Sequence, residues 1–365
     1  MLSETFVVRH VNHLFGGDTA VITRNLLKQE AGEVKRPVFC YKMSGFEKNL
    51  YPLINYLLAR PYNALLFSSQ KKLESFLEQN AVEAVLVEFG PLSGIISTLA
   101  KKRGLPYFVY FRGNDASAAL RSARKRRLYQ LSIKDAAAVF AVSDFLLGNL
   151  KQAGIKLPAS HVIPSGVDLG LFYPEKKTPY KMVFVGRFVE KKQPLLVIRA
   201  FAKIAQVYKQ ARFYMIGEGP LFDEAKSLVT ELGLENQISL LGPLPHTEVA
   251  GHLKNAEVLI QCSVTDAQGA TEGLPSIIQE AMACGVLVIG SRHAGTPEAI
   301  EDRVNGLLVE ERSETALVDA LHKAFSNPEE AVKIRTNARE KAVASFDQEK
   351  LLRKTEKIIR SSLIR

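Results

Sequence analysis

Two glutamates, Glu272 and Glu280, stand on either side of Gly273, Leu274 and Pro275 in the run TEGLPSIIQEAMACG (271–285). Carboxylates accept charge-assisted hydrogen bonds from ribose and sugar hydroxyls. Pro275 reads as the first residue of a helix, where its missing N–H costs nothing, and Gly285 reads as the stop. The free N–H groups and positive end of such a helix suit a phosphate. One carboxylate just before the helix and one within it can face one ligand at different heights. A surface loop followed by an ordinary amphipathic helix has the same composition, so the run gains its weight from the rest of the chain.

Cations come from VGRFVEKK (185–192), where Arg187 and Lys192 follow Gly186 at the end of an apolar run. Arg grips a diphosphate with two parallel N–H groups, and Lys adds a point charge. A lone Arg and Lys on a loop are more often merely solvated. In IGEGP (216–220), Gly217 and Gly219 flank Glu218 and allow close backbone approach. The spacing is not G-x-G-x-x-G, so no nicotinamide cofactor is expected. FRGND (111–115) supplies Arg112 and Asp115 from the first half. His10, His13, His161, His246, His252, His293 and His322 lack metal-ligand spacing and read as surface or packing residues; His293, in SRHAGTPE, is the one near a strand end. No metal site is expected.

These residues sit in a repeating pattern. Strands over 19–24, 36–41, 82–90, 105–111, 136–143 and 159–168 alternate with helices over 3–15 (Ser3 as N-cap), 69–80, 91–104 and after Asp144. The pattern restarts with strands over 181–186, 211–217, 238–242, 258–263 and 286–291. Helices lie between them and from residue 312 to the end, with everything after Pro328 read as one long helical stretch. Continuous apolar strands in βαβ alternation predict parallel sheets covered on both faces, with 82–90 as a buried strand. The fold class is α/β: two facing doubly wound, Rossmann-like sheets. Residues 169–181, rich in Pro and Lys, read as the linker. Ligands of such sheets bind outside the carboxyl ends of the strands, and a cleft between two such domains is the default site.

A chain of 365 residues, 47% apolar and 24% charged, has the composition of two globular domains. No apolar run is long enough to span a membrane. No signal peptide is expected, because Leu-Ser-Glu follows Met1 without a basic and an apolar region. Cys40, Cys262 and Cys284 show no metal spacing, which fits a reduced, cytoplasmic setting. The net charge of +10 is uneven: residues 1–170 hold 22 Lys/Arg against 13 Asp/Glu, and the remainder 26 against 25. Arg121, Arg124, Lys125, Arg126 and Arg127 form a basic collar on one helix, either simply solvated or facing an anionic membrane surface or acidic acceptor. The collar lacks interleaved aromatics and Gly-rich motifs, so nucleic acid is not an expected partner.

Taken together, VGRFVEKK, IGEGP, DAQGATEGLPSIIQEAMACG (266–285), AVS and IPSGVD resemble the family 4 retaining glycosyltransferases of GT-B architecture. SETFV and DAQGATEGLP look most like the colanic-acid and exopolysaccharide branch. The resemblance implies an acceptor-side domain over 1–170 and a nucleotide-sugar donor domain over 171–345. A last helix over 346–365 would pack back on the first domain. It implies sugar transfer, with retention, from a nucleotide-diphosphate sugar to a glycan or lipid-linked acceptor in surface polysaccharide synthesis. Arg187 and Lys192 would stabilise the leaving diphosphate and Glu272 would contact the donor sugar. Gly186, Gly217, Glu218, Gly219, Gly273, Leu274 and Pro275 would line the donor site, Glu280 would hold the ribose, and the base would rest near Gly217 and Pro243. No cofactor is implied beyond the nucleotide-sugar co-substrate.

Two departures stand out. Relatives carry a strand before SETFV, so the first strand of the first sheet is expected to be missing or replaced. Relatives often carry His where Arg112 stands; Arg accepts no proton, leaving it a role in binding phosphate or an acidic acceptor, with Asp115 orienting it or binding an acceptor hydroxyl. A catalytically inactive scaffold or partner subunit, or a nucleotide-sugar epimerase, are the competing readings.

Overall fold

The structure, a computed structural model, describes residues 5–24, 36–41, 45–65 and 67–363. Two compact units divide the chain: residues 1–163 with 350–365, and residues 164–349. Ser3 lies outside the described residues.

The first unit runs α1 (Thr5–His13), β1 (Val21–Thr23), β2 (Val38–Cys40), α2 (Gly45–Leu57), α3 (Phe67–Gln79), β3 (Val85–Val87), α4 (Ser93–Arg103), β4 (Tyr107–Phe111), α5 (Ala123–Ser132), β5 (Ala138–Ala141), α6 (Asp144–Gln152) and β6 (Ser160–Val162). The first helix stops at His13 rather than residue 15, because Phe15 and Gly16 turn to positive φ in the 3-10 turn that follows. β3-β4-β5-β6 form one parallel sheet in chain order, and β1-β2 pair separately, also in parallel. The apolar runs of β4 and β5 are buried at every position, as strands covered on both faces must be. β3 departs from the expectation of a buried strand: Val85 and Leu86 are only half-buried. It has a ladder partner on one side only among the described residues.

The second unit runs β7 (Lys181–Val185), α7 (Pro194–Val207), β8 (Arg212–Ile216), α8 (Phe222–Glu231), β9 (Ile238–Gly242), α9 (His246–Lys254), β10 (Val258–Gln261), α10 (Ser276–Ala283), β11 (Leu287–Ser291), α11 (Thr296–Ala299), β12 (Leu307–Val309), α12 (Glu314–Ser326) and α13 (Pro328–Ser345). Six parallel strands lie in the order β12-β11-β10-β7-β8-β9. Phe184, Phe188, Phe201 and Phe213 fill the core on one side of this sheet. Each such burial contributes roughly 1.5–3 kcal/mol. β12 is absent from the sequence-level reading, because three residues followed by acidic ones give no usable period.

Residues 169–181 are no free linker. They belong to the second unit, where Phe172 is fully buried and the Glu175 and Thr178 N–H groups donate to the Lys254 and Asn255 carbonyls. Lys177 Nζ donates to the Lys254 and Cys284 carbonyls, each at 2.7 Å, and burial, the largest influence, holds its ammonium down at about 8.

The helical stretch after Pro328 is two helices. The backbone of Val167 bridges to both sides of Asp347, its N–H donating to the Phe346 carbonyl and its carbonyl accepting from Gln348, which breaks the helix there. The last helix, α14 (Gln348–Leu363), buries Leu352, Thr355 and Ile359 on one face. Most of α14 lies in the first unit, where Glu356 accepts the Phe15 N–H at 2.7 Å and Lys354 donates to the Val162 carbonyl.

Candidate functional site

Strand order in the second sheet reverses between β7 and β10: the chain steps outward from β7 through β8 to β9, then returns to the other side at β10. Loops leaving the carboxyl ends at such a reversal splay apart and open a crevice. The loop after β7 carries Arg187, Lys191 and Lys192, and the loop after β10 carries Glu272. Lys191 Nζ and Lys192 Nζ lie 3.0 and 3.2 Å from Glu272 Oε1. The two loops are tied, because the Val264 N–H donates to the Lys191 carbonyl at 2.9 Å.

Burial is the largest influence on Glu272 and raises its pKa, but Lys192 and Lys191 together outweigh it and hold the carboxyl down at about 2. Lys192 feels burial first and Arg187 and Lys191 as like charges, so its ammonium is pulled below the ordinary lysine value against the pull of Glu272. Arg187, Lys191, Lys192 and Glu272 therefore form one electrostatic group. Lys191 was missed at the level of sequence; the adjacent pair of lysines was the only signal for it.

The loop after β8 closes on the same β7 loop. The Gly186 N–H donates to the Ile216 carbonyl and the Phe188 N–H to the Glu218 carbonyl, while the Gly217 N–H reaches the Gly242 carbonyl. Gly217 and Gly219 have φ of +132° and +154°, and a Cβ at either would collide with the carbonyl oxygen of Gly186 or Phe188. These glycines let two backbones interlock, a need separate from the ligand approach expected of them.

Pro275 sits at the cap of α10 with ψ 125°, so the helix starts one residue later than expected, at Ser276. The residue in an N-cap position takes an extended conformation that proline's fixed φ permits. Among the described residues, the Gly273 and Leu274 N–H groups donate to no protein acceptor. Glu280 is buried on α10 and its Oε1 lies 3.1 Å from His246 Nε2, at the start of α9. The His246 ring packs 4.9 Å from that of Phe172. His246 had read as a packing residue; nothing in the local sequence links it to Glu280, which is 34 positions away. His293 is buried just beyond β11, bonding Glu311 through Nδ1 at 2.8 Å, with Nε2 unpartnered among the described residues.

In the first unit, the loop after β4 holds Arg112. Its guanidinium lies between the Phe6 and Tyr110 rings, at 4.0 and 3.7 Å, and donates to Glu88 Oε2 through Nη2 at 2.7 Å. His10 Nδ1 bonds the other Glu88 oxygen. Burial, the largest influence, raises the Glu88 pKa, but Arg112 and His10 more than reverse it and hold it at about 2. Asp115 accepts the Arg112 and Gly113 N–H groups at 3.0 and 2.9 Å and the Gly90 N–H at 3.2 Å. It orders the loop backbone and orients Arg112 through its main chain rather than its guanidinium. Burial raises the Asp115 pKa against those bonds.

A six-stranded parallel sheet in this order, with charge gathered at the reversal, is the arrangement of a nucleotide-binding α/β protein. Residues 172–341 match the family model for glycosyl transferases group 1, and residues 16–171 that for glycosyltransferase family 4. The chain is 29% identical over 310 residues, 83% of its length and 72% of the relative's, to the putative colanic acid biosynthesis glycosyltransferase WcaL of Escherichia coli. It is 28% identical over 281 residues, 73% and 67% of the two chains, to the amylovoran biosynthesis glycosyltransferase AmsK of Erwinia amylovora. Among solved structures, Anabaena Alr3699/HepE in complex with UDP-glucose superposes with a TM-score of 0.79 at 17% identity, covering 99% of this chain and 97% of that one. Sucrose-phosphate synthase from Thermosynechococcus elongatus gives 0.77 at 18%, covering 98% and 93%. The chain belongs to the family 4 glycosyltransferases, of GT-B architecture.

Proposed function

We propose that this glycosyltransferase moves a sugar, with retention of anomeric configuration and without a metal ion, from a nucleoside-diphosphate sugar to a glycan or lipid-linked acceptor during surface polysaccharide synthesis. The observation that carries the reading is Glu272 held between Lys191 and Lys192 at the sheet reversal, with the free Gly273 and Leu274 N–H groups beside it. Arg187, Lys191 and Lys192 neutralise the diphosphate as it departs, the work otherwise done by a divalent cation. The start of α10 adds its positive end. Glu272 faces the donor sugar and Glu280 the ribose diol. The acceptor oxygen bonds to the anomeric carbon on the face the leaving group vacates. The anomeric C–O bond breaks, its electron pair stays on the phosphate oxygen, and that oxygen takes the acceptor's proton.

The names of the relatives, from colanic acid and amylovoran biosynthesis, support a polysaccharide acceptor. The reading includes a cytoplasmic location, and contact with an anionic membrane surface is supported by one surface of the first unit. Leu53, Tyr56, Leu57 and Leu58 are exposed there, and Arg127 and Arg124 of the basic collar lie over the rings of Tyr56 and Tyr62. Among the described residues, no helix is long and apolar enough to cross a membrane.

A thermal-shift screen against UDP, GDP, ADP and their sugars tests the reading, since a ligand bound only by the folded form raises the melting point. One nucleotide series raises Tm, and the matching sugar is then transferred only when acceptor is supplied, with or without EDTA. Sugar interconversion without acceptor marks an epimerase, and no ligand shift marks an inactive scaffold.

A further inference from the structure

Residues 166–177, near the start of the second unit, are fastened to α10 at several points. The Gly166 N–H donates to Gln279 Oε1 at 2.9 Å. Arg339 Nη1 donates to the Phe172 carbonyl at 3.2 Å and to the Ala283 carbonyl at 2.5 Å. Lys177 Nζ holds the carbonyl of Cys284, the residue that caps the helix end. The Phe172 N–H donates to the Asp168 carbonyl at 2.8 Å. Phe172, fully buried, is thus fixed through both its N–H and its carbonyl.

The Phe172 ring is the seat of His246, whose own ring lies 4.9 Å away, tilted by 59°. His246 is the first residue of α9, and the loop leading to it leaves β9 at Gly242, whose carbonyl accepts the Gly217 N–H from the β8 loop at 2.8 Å. A carboxylate offers acceptors only, so the 3.1 Å contact with Glu280 Oε1 is a hydrogen bond donated from His246 Nε2. Among the described residues, the Glu280 carboxylate makes no other hydrogen bond, and its side chain is only 8% exposed. A glutamate side chain has several torsions to fix, and ordering them costs free energy whenever a ligand must do it. One bond from a ring that is itself held does that work before any ligand is bound, and it leaves the second oxygen for hydroxyl donors.

We propose that His246, seated on Phe172, is the positioning residue that aims Glu280 at the 2′- and 3′-hydroxyls of the donor ribose. The role depends on Glu280 facing that ribose, as in the proposed function. The two hydroxyls donate to the carboxylate, and His246 touches neither the sugar being moved nor the bond that breaks. It sets how well a ribonucleotide is told from one without the diol, because carboxylate bonds to hydroxyls weaken steeply when the acceptor turns away.

The test is isothermal titration of the full chain with UDP, GDP and ADP, each beside its 2′,3′-dideoxy form, and with pyrophosphate. Wild type binds one of the ribonucleotides more tightly than its dideoxy form. His246→Phe keeps a ring on Phe172 and removes the donor, and His246→Leu removes the ring as well. In both, the ribonucleotide binds about tenfold more weakly, the scale of one hydrogen bond to a charged group, while the dideoxy form and pyrophosphate bind as before. His246→Gln, whose amide can donate to the same oxygen, stays within about threefold of wild type. With Glu280→Ala already present, His246→Phe adds no further loss. Ribonucleotide binding left unchanged by both variants overturns the proposal, as does a loss shared by the dideoxy form and pyrophosphate in both, which makes His246 a prop of the fold alone. Either result, with a wild type that prefers the ribonucleotide, leaves the donor site standing. A wild type that binds none of the three nucleotides overturns the donor site and the role of His246 together.

Discussion

Lys192 Nζ and Glu272 Oε1 lie 3.2 Å apart, and Lys191 Nζ shares the same oxygen at 3.0 Å. One carboxylate thus holds two cations on the loop that the proposed function assigns to the diphosphate. The arrangement holds both lysines in place.

Lys192→Ala follows directly. Lys191 still neutralises Glu272, so the fold loses about 1.5–3 kcal/mol, the range for one hydrogen bond to a charged group. Turnover falls by about 10²–10³-fold, the usual cost of removing one charge-stabilising donor from a transition state. Parallel kcat and chemical-denaturation measurements check this; a variant with full activity removes Lys192 from the mechanism.

Glu280→Gln keeps the size of the side chain and its contact with His246. On the proposed reading it replaces charge-assisted bonds to the ribose with neutral ones, which are about half as strong. KM for the donor rises roughly 10-fold, with Tm nearly unchanged, and the ribose-free diphosphate binds both proteins equally. Isothermal titration with nucleotide and with pyrophosphate separates the two effects.

Glu88 governs acid stability of the first unit. Its folded pKa is depressed to about 2 from an ordinary 4.5. A depressed carboxyl contributes stability that is complete above its unfolded value and lost as pH falls through the folded one. Glu88→Gln leaves Arg112 buried without its counter-charge and costs about 3–5 kcal/mol at pH 7. The gap between wild type and variant narrows from about pH 5 toward pH 2, readable as urea midpoints across that range. A gap that stays constant with pH removes the ion pair as its cause.

Gly217→Ala places a methyl group against the Gly186 carbonyl oxygen at a φ of +132°. Both partners are backbone, so one loop must move, and the cost is at least about 2 kcal/mol together with weaker nucleotide binding. Gly148→Ala, inside α6 with open space around its Cβ, gains about 0.5–1 kcal/mol instead. Thermal unfolding of the two single variants gives shifts of opposite sign.

Vesicles with anionic lipid bind the protein, and added salt weakens that binding because exposed charges are screened within about 10 Å at 0.1 M. Leu57→Asp, at a side chain 74% exposed, weakens it without affecting Tm. Co-sedimentation at two salt concentrations reads both; binding indifferent to salt rules out the basic collar as the contact.

Much of this protein was decided locally. Continuous apolar strands such as YFVYF and KMVFV, punctuated by glycines and helical periods, are enough to specify parallel α/β units, because burial on both faces leaves no polar alternation. The run TEGLPSIIQEAMACG likewise specified a loop, a helix start and two carboxylates. Folding alone brought Lys191 and Lys192 to Glu272, some eighty positions along the chain, and His246 to Glu280. Ion pairing between loops depends on strand order, and no local period encodes which strand sits beside which. The same reason explains Arg112: its sequence neighbours presented a free cation, and only the packed sheet supplied Glu88, Phe6 and Tyr110 around it.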